Sequence, residues 1–383
     1  GAARAAGLRF GVRVHAGSWT WRWLDAAFAA DADGPRAGVG YDGNLTARDG
    51  AGTWWEGLDP ADLYGRPRAH GEPPDAGFID NFYARLEDLV TAFRPDLVLL
   101  DDARLPFDEG SVCPASPPSR CGLEFTAAYY NRFPDGVVDI KSVPPADREA
   151  VLLDIERHLP AAVESAPWQL ETSIGDWFYS AGERYKPARQ VIHMLCDTVS
   201  RNGSMLLNIV QRPDGTVDDE CRAALGEIGD WLAVNGEAIY GTRPWATHGE
   251  GPTAAGTGSR GGAGALAREA DLPYGPEDIR FTRGQDGAVY AMLLAWPPDG
   301  VATIVSLGEE AGLLGQAPRS VRLLGVEGEL RWRRDPGALR VWLPQGSPGP
   351  QGPPVPPCAV LRVALLPGWP GPGRGEHLTG RER

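Results

Sequence analysis

Phe78, Ile79, Phe82, Leu86, Leu89, Val90 and Phe93 recur at three- and four-residue spacing, which predicts a helix with one apolar face. Pro95 ends it. Leu97, Val98, Leu99 and Leu100 follow as four consecutive large apolar side chains, and the run stops on two adjacent aspartates, Asp101 and Asp102. The same alternation continues along the chain. Leu8 to Val14 reads as a short buried strand, and a glycine-rich excursion bearing tryptophans fills 16–77. A helix is expected over 122–133, a strand over 137–142 and a helix over 146–158, then a strand over 168–174, a helix over 187–201 and a strand over 205–209. In the next helix Cys221, Leu225, Ile228 and Trp231 share one face, and Asn235-Gly236 is its stop signal. Near-continuous apolar strands alternating with helices predict a parallel sheet covered on both faces.

The pattern changes near residue 250. A Gly/Ala/Ser-rich stretch is followed by short alternating segments, "AVYAMLLAW", "VATIVSL", "SVRLLGV", "ELRWRR", "LRVWLP" and "AVLRVAL", which predict an antiparallel sandwich. The expected division is a (β/α)-barrel catalytic domain over 1–249, a linker over 250–269, a β-sandwich over 270–366 and a tail over 367–383. Only about five parallel strands are readable, and an eight-stranded barrel needs more. Either the sheet is open or the sequence begins inside a barrel.

Composition narrows the function. A chain of 383 residues with 42% apolar and 23% charged residues has room for two domains and an ordinary core. A formal charge of -14 with no basic patch argues against nucleic acid and anionic membranes as partners. No run of eighteen apolar residues predicts a membrane span, and the first residues show no signal-peptide core with a cleavage site. Thirteen tryptophans favour carbohydrate only weakly, because indoles are also core material. Among the five cysteines, Cys113 and Cys121 flank a Pro/Ser loop and are placed to bridge in an oxidising compartment, whereas Cys196 and Cys221 sit in helical patterns as core residues. No glycine-rich phosphate loop follows any strand, which removes an open-sheet nucleotide enzyme.

Several long stretches, "YDGNLTARDGAGTWWEGLDPADLYG" (41–65), "PWQLETSIGDWFY" (167–179), "GSMLLNIVQRPDGTVDDE" (203–220), "GEAIYGTRPW" (236–245), "EDIRFTR" (277–283) and "YAMLLAWP" (290–297), resemble the retaining α-L-fucosidases. The resemblance implies a (β/α)8-like barrel followed by an all-β sandwich, with the first barrel strands preceding the part matched here. It implies hydrolysis of terminal α-L-fucose with retention, a fucosylated glycan or glycoconjugate as substrate, a secreted, lysosomal or periplasmic setting, and room for a homo-oligomer. No cofactor is implied, and no His/Asp/Glu cluster has metal-ligand spacing.

Retaining hydrolysis needs one carboxylate to attack C1 and a second carboxyl group to protonate the leaving oxygen. The resemblance makes Asp101, reached from Pro95-Asp96 through the apolar run, the nucleophile. Barrel active sites lie at the C-terminal ends of strands, so a charge there opens into a cleft and not into the core. Its alternative is a turn or helix cap, the role expected of Asp102. Glu156 in "LLDIERHLP" is the matching acid/base, with Asp154 and Glu171 as competitors and a surface ion pair with Arg157 as its other reading. His15 ends the first strand, where it either contacts a fucose hydroxyl or is structural. Trp54, Trp55 and Glu56 either wall the pocket or anchor a loop. Lys141 occupies a strand end where relatives carry a base near the sugar, and Trp168 and Trp177 flank "ETSIGDW" with faces suited to stacking. The family's His-Trp-Gly and His-His-Asp motifs do not occur here. Two readings therefore stay open: an active fucosidase, or a catalytically impaired fragment or glycan-binding relative without turnover.

Overall fold

Asp75 starts the first long helix, α1 (Ala76–Phe93), by accepting the Phe78 N–H on its carboxylate at 2.8 Å. Phe82, Leu86 and Val90 form its buried face, and the chain turns out of the helix at Arg94, which is left-handed at φ 49°. Strand β2 (Leu97–Leu100) follows at once, in a computed structural model that describes residues 1–15, 34–35, 37–38, 45–66, 69, 75–101, 120–141, 143, 145–254, 274–344 and 356–366. The parallel sheet takes its strands in sequence order, from β1 (Gly11–Val14) and β2 through β3 (Val137–Ile140), β4 (Leu152–Glu156) and β5 (Trp168–Ser173) to β6 (Gly203–Asn208). That order is the winding expected of a βα-barrel.

By contacts the chain divides into two compact units, Gly1–Asp154 and Ile155–Arg383. In the first, α1 and α2 (Arg120–Arg132) cover one face of the sheet, where Phe82, Leu86, Val90, Phe125 and Tyr129 pack on Val98, Leu100, Val138 and Ile140. The Tyr129 hydroxyl donates to the Pro95 carbonyl at 2.8 Å. Gly136 makes room for that ring, since a Cβ there would lie 2.6 Å from it. The helix expected over 146–158 is instead a 3-10 turn at Pro145–Ala150 followed by β4. A short apolar run such as "VLLDIE" fits both periodicities, and backbone pairing of Leu152 and Leu153 with Asp139 and Ile140 decides for strand.

In the second unit β5 and β6 pair in parallel over their full length. Helices α3 (Ala188–Ser200) and α4 (Asp219–Asn235) accompany them. A five-stranded antiparallel sheet follows in the order β11-β14-β9-β8-β7, and a three-stranded one in the order β10-β13-β12. Their strands are β7 (Arg243–Glu250), β8 (Ile279–Arg283), β9 (Val289–Leu293), β10 (Val301–Ile304), β11 (Ser320–Leu323), β12 (Trp332–Arg334), β13 (Leu339–Trp342) and β14 (Ala359–Ala364). Val289, Ala291, Leu293, Leu361 and Val363 of the larger sheet share one core with Ala302, Ile304, Leu339 and Val341 of the smaller. Tyr290, Met292 and Val360 share another with Val191, Ile192, Cys196, Ile228 and Trp231 of α3 and α4. Strand β9 is thus buried on both faces, which explains the unbroken apolar run in "YAMLLAW". β7 precedes the linker and sandwich boundary expected from sequence, yet it pairs antiparallel with β8. Cys196 and Cys221 are buried as expected. The Cys113–Cys121 bridge and Asp102 fall outside the described residues.

Candidate active site

Side chains alternate across a strand, so parity separates the two faces of the sheet in the first unit. Val12, Val14, Val98, Leu100, Val138 and Ile140 join the helix-covered core. Arg13, Leu99 and Asp139 are paired neighbours on the opposite face, with Leu152 next to Asp139. Two residues further along each strand, the same register brings His15, Asp101, Lys141 and Asp154 into one row at the C-terminal ends. Asp96 sets this register from the other end. Its carboxylate accepts the Phe10 N–H at 2.7 Å while its own N–H donates to the Phe10 carbonyl at 2.7 Å. The Phe10 bond, and then the charges of Arg4 and Arg9, hold the Asp96 carboxyl below the usual range against the opposing effect of burial.

Asp101 is 1% exposed, and its N–H donates to the Val14 carbonyl at 3.0 Å. On Oδ2 it meets Arg13 Nη2 and, at 2.6 Å, His15 Nε2. On Oδ1 it meets Lys141 Nζ at 3.1 Å, and the same ammonium lies 3.1 Å from Asp154 Oδ2. Buried charges persist when they are paired, and positive neighbours favour the ionised form of a carboxylate. Arg13 and His15 are partly open to solvent, with side-chain exposures of 35% and 52%. The row therefore gathers a buried carboxylate and its polar partners beside two side chains that solvent reaches.

The structure brings together three of the expected residues, Asp101, His15 and Lys141. Trp54, Trp55 and Glu56 lie in a loop that the latter two help to fold. Trp55 covers Gly50, where a Cβ would sit 2.6 Å from its ring, and Glu56 accepts the Gly52 N–H at 3.1 Å. Trp54 is 92% exposed. In the second unit, Glu156 ends β4 half-buried, and its carbonyl contacts His158 Nδ1 at 2.5 Å. The next residue, Arg157, is left-handed at φ 54° and places its guanidinium 4.4 Å from the centre of the half-buried Trp177 ring. Trp168 is fully buried. Its indole N–H donates to the Arg201 carbonyl at 3.0 Å and its ring fills the space over Gly203, so it offers no face to a sugar. Arg13 and Asp154 complete the row around Asp101. Arg13 was detectable as the residue two before His15, on the same face of a strand.

The model of the α-L-fucosidase family matches residues 1–237, and that of the α-L-fucosidase C-terminal domain matches residues 275–362. Tissue α-L-fucosidase of Rattus norvegicus is 29% identical over 276 residues, which cover 69% of this chain and 51% of the rat protein. The chain thus spans about half the length of that relative. Among solved structures, the Thermotoga maritima α-fucosidase in complex with a mechanism-based inhibitor is similar at a TM-score of 0.59 and 24% identity, covering 94% of this chain and 66% of that one. A Bacteroides thetaiotaomicron α-L-fucosidase, trapped as a covalent intermediate with 2-fluoro-fucosyl fluoride, is similar at a TM-score of 0.55 and 16% identity, covering 78% of this chain and 65% of that one. These two likenesses are of fold, and they agree with a barrel followed by a β-sandwich.

Proposed function

The chain belongs to the α-L-fucosidase family, and from that premise we propose that it releases terminal α-L-fucose from glycans or glycoconjugates by a two-carboxylate double displacement. The observation that carries the reading is Asp101, a buried carboxylate at the C-terminal end of β2 held by Arg13, His15 and Lys141. In the first step an Asp101 oxygen attacks C1 of the fucosyl residue. The bond from C1 to the aglycone oxygen breaks, its electron pair stays on that oxygen, and a carboxylic acid protonates it. In the second step a water molecule gives a proton to the same group and attacks C1, which frees Asp101 and leaves fucose with its original anomeric configuration. Glu156 is assigned the acid/base role. Lys141 and His15 are assigned to sugar hydroxyls and to keeping Asp101 ionised. Trp54 and Trp177 have ring surface for contact with the glycan, whereas Trp55 and Glu56 support their loop.

A second reading, glycan binding without turnover, has one observation in its favour: both Asp101 oxygens are already engaged by cationic groups. One experiment separates the two. The chain is incubated with an aryl α-L-fucoside, and in parallel with 2-fluoro-fucosyl fluoride followed by peptide mapping. Hydrolysis together with a fluorofucosyl adduct on the Asp101 peptide supports the catalytic reading. Saturable fucoside binding with neither hydrolysis nor adduct supports the second. An adduct on another carboxylate would move the nucleophile elsewhere.

A further inference from the structure

We propose that Cys196 and Cys358 are a disulfide-forming pair that staples α3 to the start of β14 when the protein meets an oxidising compartment. The two residues lie 162 positions apart in sequence, yet their sulfurs are 3.9 Å apart. Both are fully buried in the core shared by α3, α4 and the larger antiparallel sheet. The backbone that carries Cys358 is held on both sides. His193, one turn before Cys196 on α3, meets the Pro357 carbonyl at 2.7 Å through Nε2. Trp231 of α4 donates its indole N–H to the Cys358 carbonyl at 2.8 Å. The two thiols are therefore juxtaposed by packing and by hydrogen bonds at two consecutive carbonyls, and not by a chance approach of mobile side chains. A disulfide needs its sulfurs about 2.05 Å apart, so the bond requires the two thiols to close a gap that stands at 3.9 Å.

The chemistry balances with a small-molecule disulfide, such as oxidised glutathione, as the oxidant. One protein thiolate attacks a glutathione sulfur and expels one glutathione thiolate. The second protein thiolate then attacks the mixed disulfide and expels the other. One protein S–S bond forms, the glutathione S–S bond is lost, and the two protein thiol protons end on the two glutathione thiols. Burial, together with contact with Cys358, pushes the Cys196 thiol well above its ordinary range. Thiolate is then scarce in the folded protein, and exchange there is slow. The bond accordingly forms as α3 docks against β14, and once made it is shielded from reductants.

The test refolds the full chain in a buffer of oxidised and reduced glutathione, or in dithiothreitol. Remaining thiols are then blocked with N-ethylmaleimide in denaturant, and peptides are mapped without reduction. The glutathione sample should yield a linked peptide pair joining Cys196 to Cys358, lighter than its two components by two hydrogen atoms, while Cys221 carries maleimide in both samples and any Cys113–Cys121 link is scored separately. The linked form should melt at a higher temperature than the dithiothreitol form, because the link closes a long loop in the unfolded chain. Dithiothreitol should reopen the link slowly in buffer and quickly in denaturant. Cys196→Ala and Cys358→Ala should each reduce the melting difference by the same amount, and the parent peptide map stands even if either variant folds poorly. Maleimide on both residues after glutathione refolding, or linkage of either one to a different cysteine, would overturn the proposal.

Discussion

Replacing Asp197 by asparagine tests how the second unit holds its charges. Asp197 lies on α3 at 3% exposure between two arginines that are both 0% exposed. Arg201, one turn along the helix, reaches its Oδ1. Arg280 of β8 donates from Nε to the same oxygen at 2.5 Å. Burial alone would push the Asp197 carboxyl upward, but the charges and hydrogen bonds of Arg280 and Arg201 outweigh it and hold it below its ordinary value of 3.8. Asparagine keeps the shape and one acceptor while it removes the carboxylate charge that both buried guanidinium groups contact. Removing one partner of a buried pair costs about 3–5 kcal/mol, and the retained acceptor returns about 1 kcal/mol. The net loss is then about 2–4 kcal/mol, or about 4–16 °C in melting midpoint for a domain of this size. A depressed carboxyl pKa contributes stability that is fully present above the ordinary value and is lost as the pH falls through the folded value. The gap between parent and variant should therefore be largest near neutrality and shrink below about pH 4. Urea unfolding at several pH values measures it. A variant within about 0.5 kcal/mol of the parent at pH 7, or a gap that widens in acid, would refute the reasoning.

Other outcomes follow from the same contacts. Glu156→Gln should lower turnover of an unactivated fucoside by about 10²–10⁴-fold and cost much less with aryl leaving groups of low pKa; an equal loss across leaving groups would point to Asp154 or Glu171. Asp101→Ala should abolish turnover, with azide restoring part of it as a fucosyl azide of inverted configuration; near-normal hydrolysis would remove Asp101 from the chemistry. Lys141→Met removes the ammonium shared by Asp101 and Asp154, so the acidic limb of the kcat/KM profile should move to higher pH, and an unmoved limb would contradict the assignment. Trp168→Phe loses the hydrogen bond to the Arg201 carbonyl, so it should reduce stability by about 1–3 kcal/mol and leave KM for an aryl fucoside unchanged. A raised KM at full stability would return that indole to the sugar.

Much of the architecture was legible because burial is periodic. Helices α1, α3 and α4 followed from apolar spacing at three and four residues, and β2 and β6 from continuous apolar runs. What stayed hidden depended on partners distant in sequence. "RPWATHGE" contains proline, histidine and glycine and has no strand periodicity of its own, and it becomes β7 because Ile279–Arg283 lies alongside. "EDIRFTR" stood out as a motif without a physical reason. The fold supplies one, since Arg280 neutralises Asp197 and Asp278 accepts the N–H groups of Thr253 at 2.9 Å and Gly275 at 2.8 Å. Trp168 shows the limit of residue type as a guide. An indole suits a sugar platform and a core equally well, and only depth of burial separates the two.

The candidate site was legible to the extent that a charge at the end of a buried strand needs explaining. Asp101 was conspicuous for that reason, but Arg13 in "GVRVH" reads as a solvated side chain until β1 is set beside β2. The pairing places Arg13 opposite Leu99, one step below Asp101 on the same face. Because faces alternate residue by residue, a slip of one position between these strands would turn both Arg13 and His15 into the helix-covered core and bring Val14 onto the face that holds Asp101. The packing of the half-buried Val12 and Val14 on that core would be lost together with the contacts of Arg13 and His15 to Asp101. The clamp between Asp96 and Phe10, with reciprocal hydrogen bonds of 2.7 Å at the far end of the same strands, stands directly against such a slip. The proline–aspartate pair before the apolar run is therefore a register device: it fixes the strands at one end so that an imidazole, a carboxylate, an ammonium and a second carboxylate arrive level at the other.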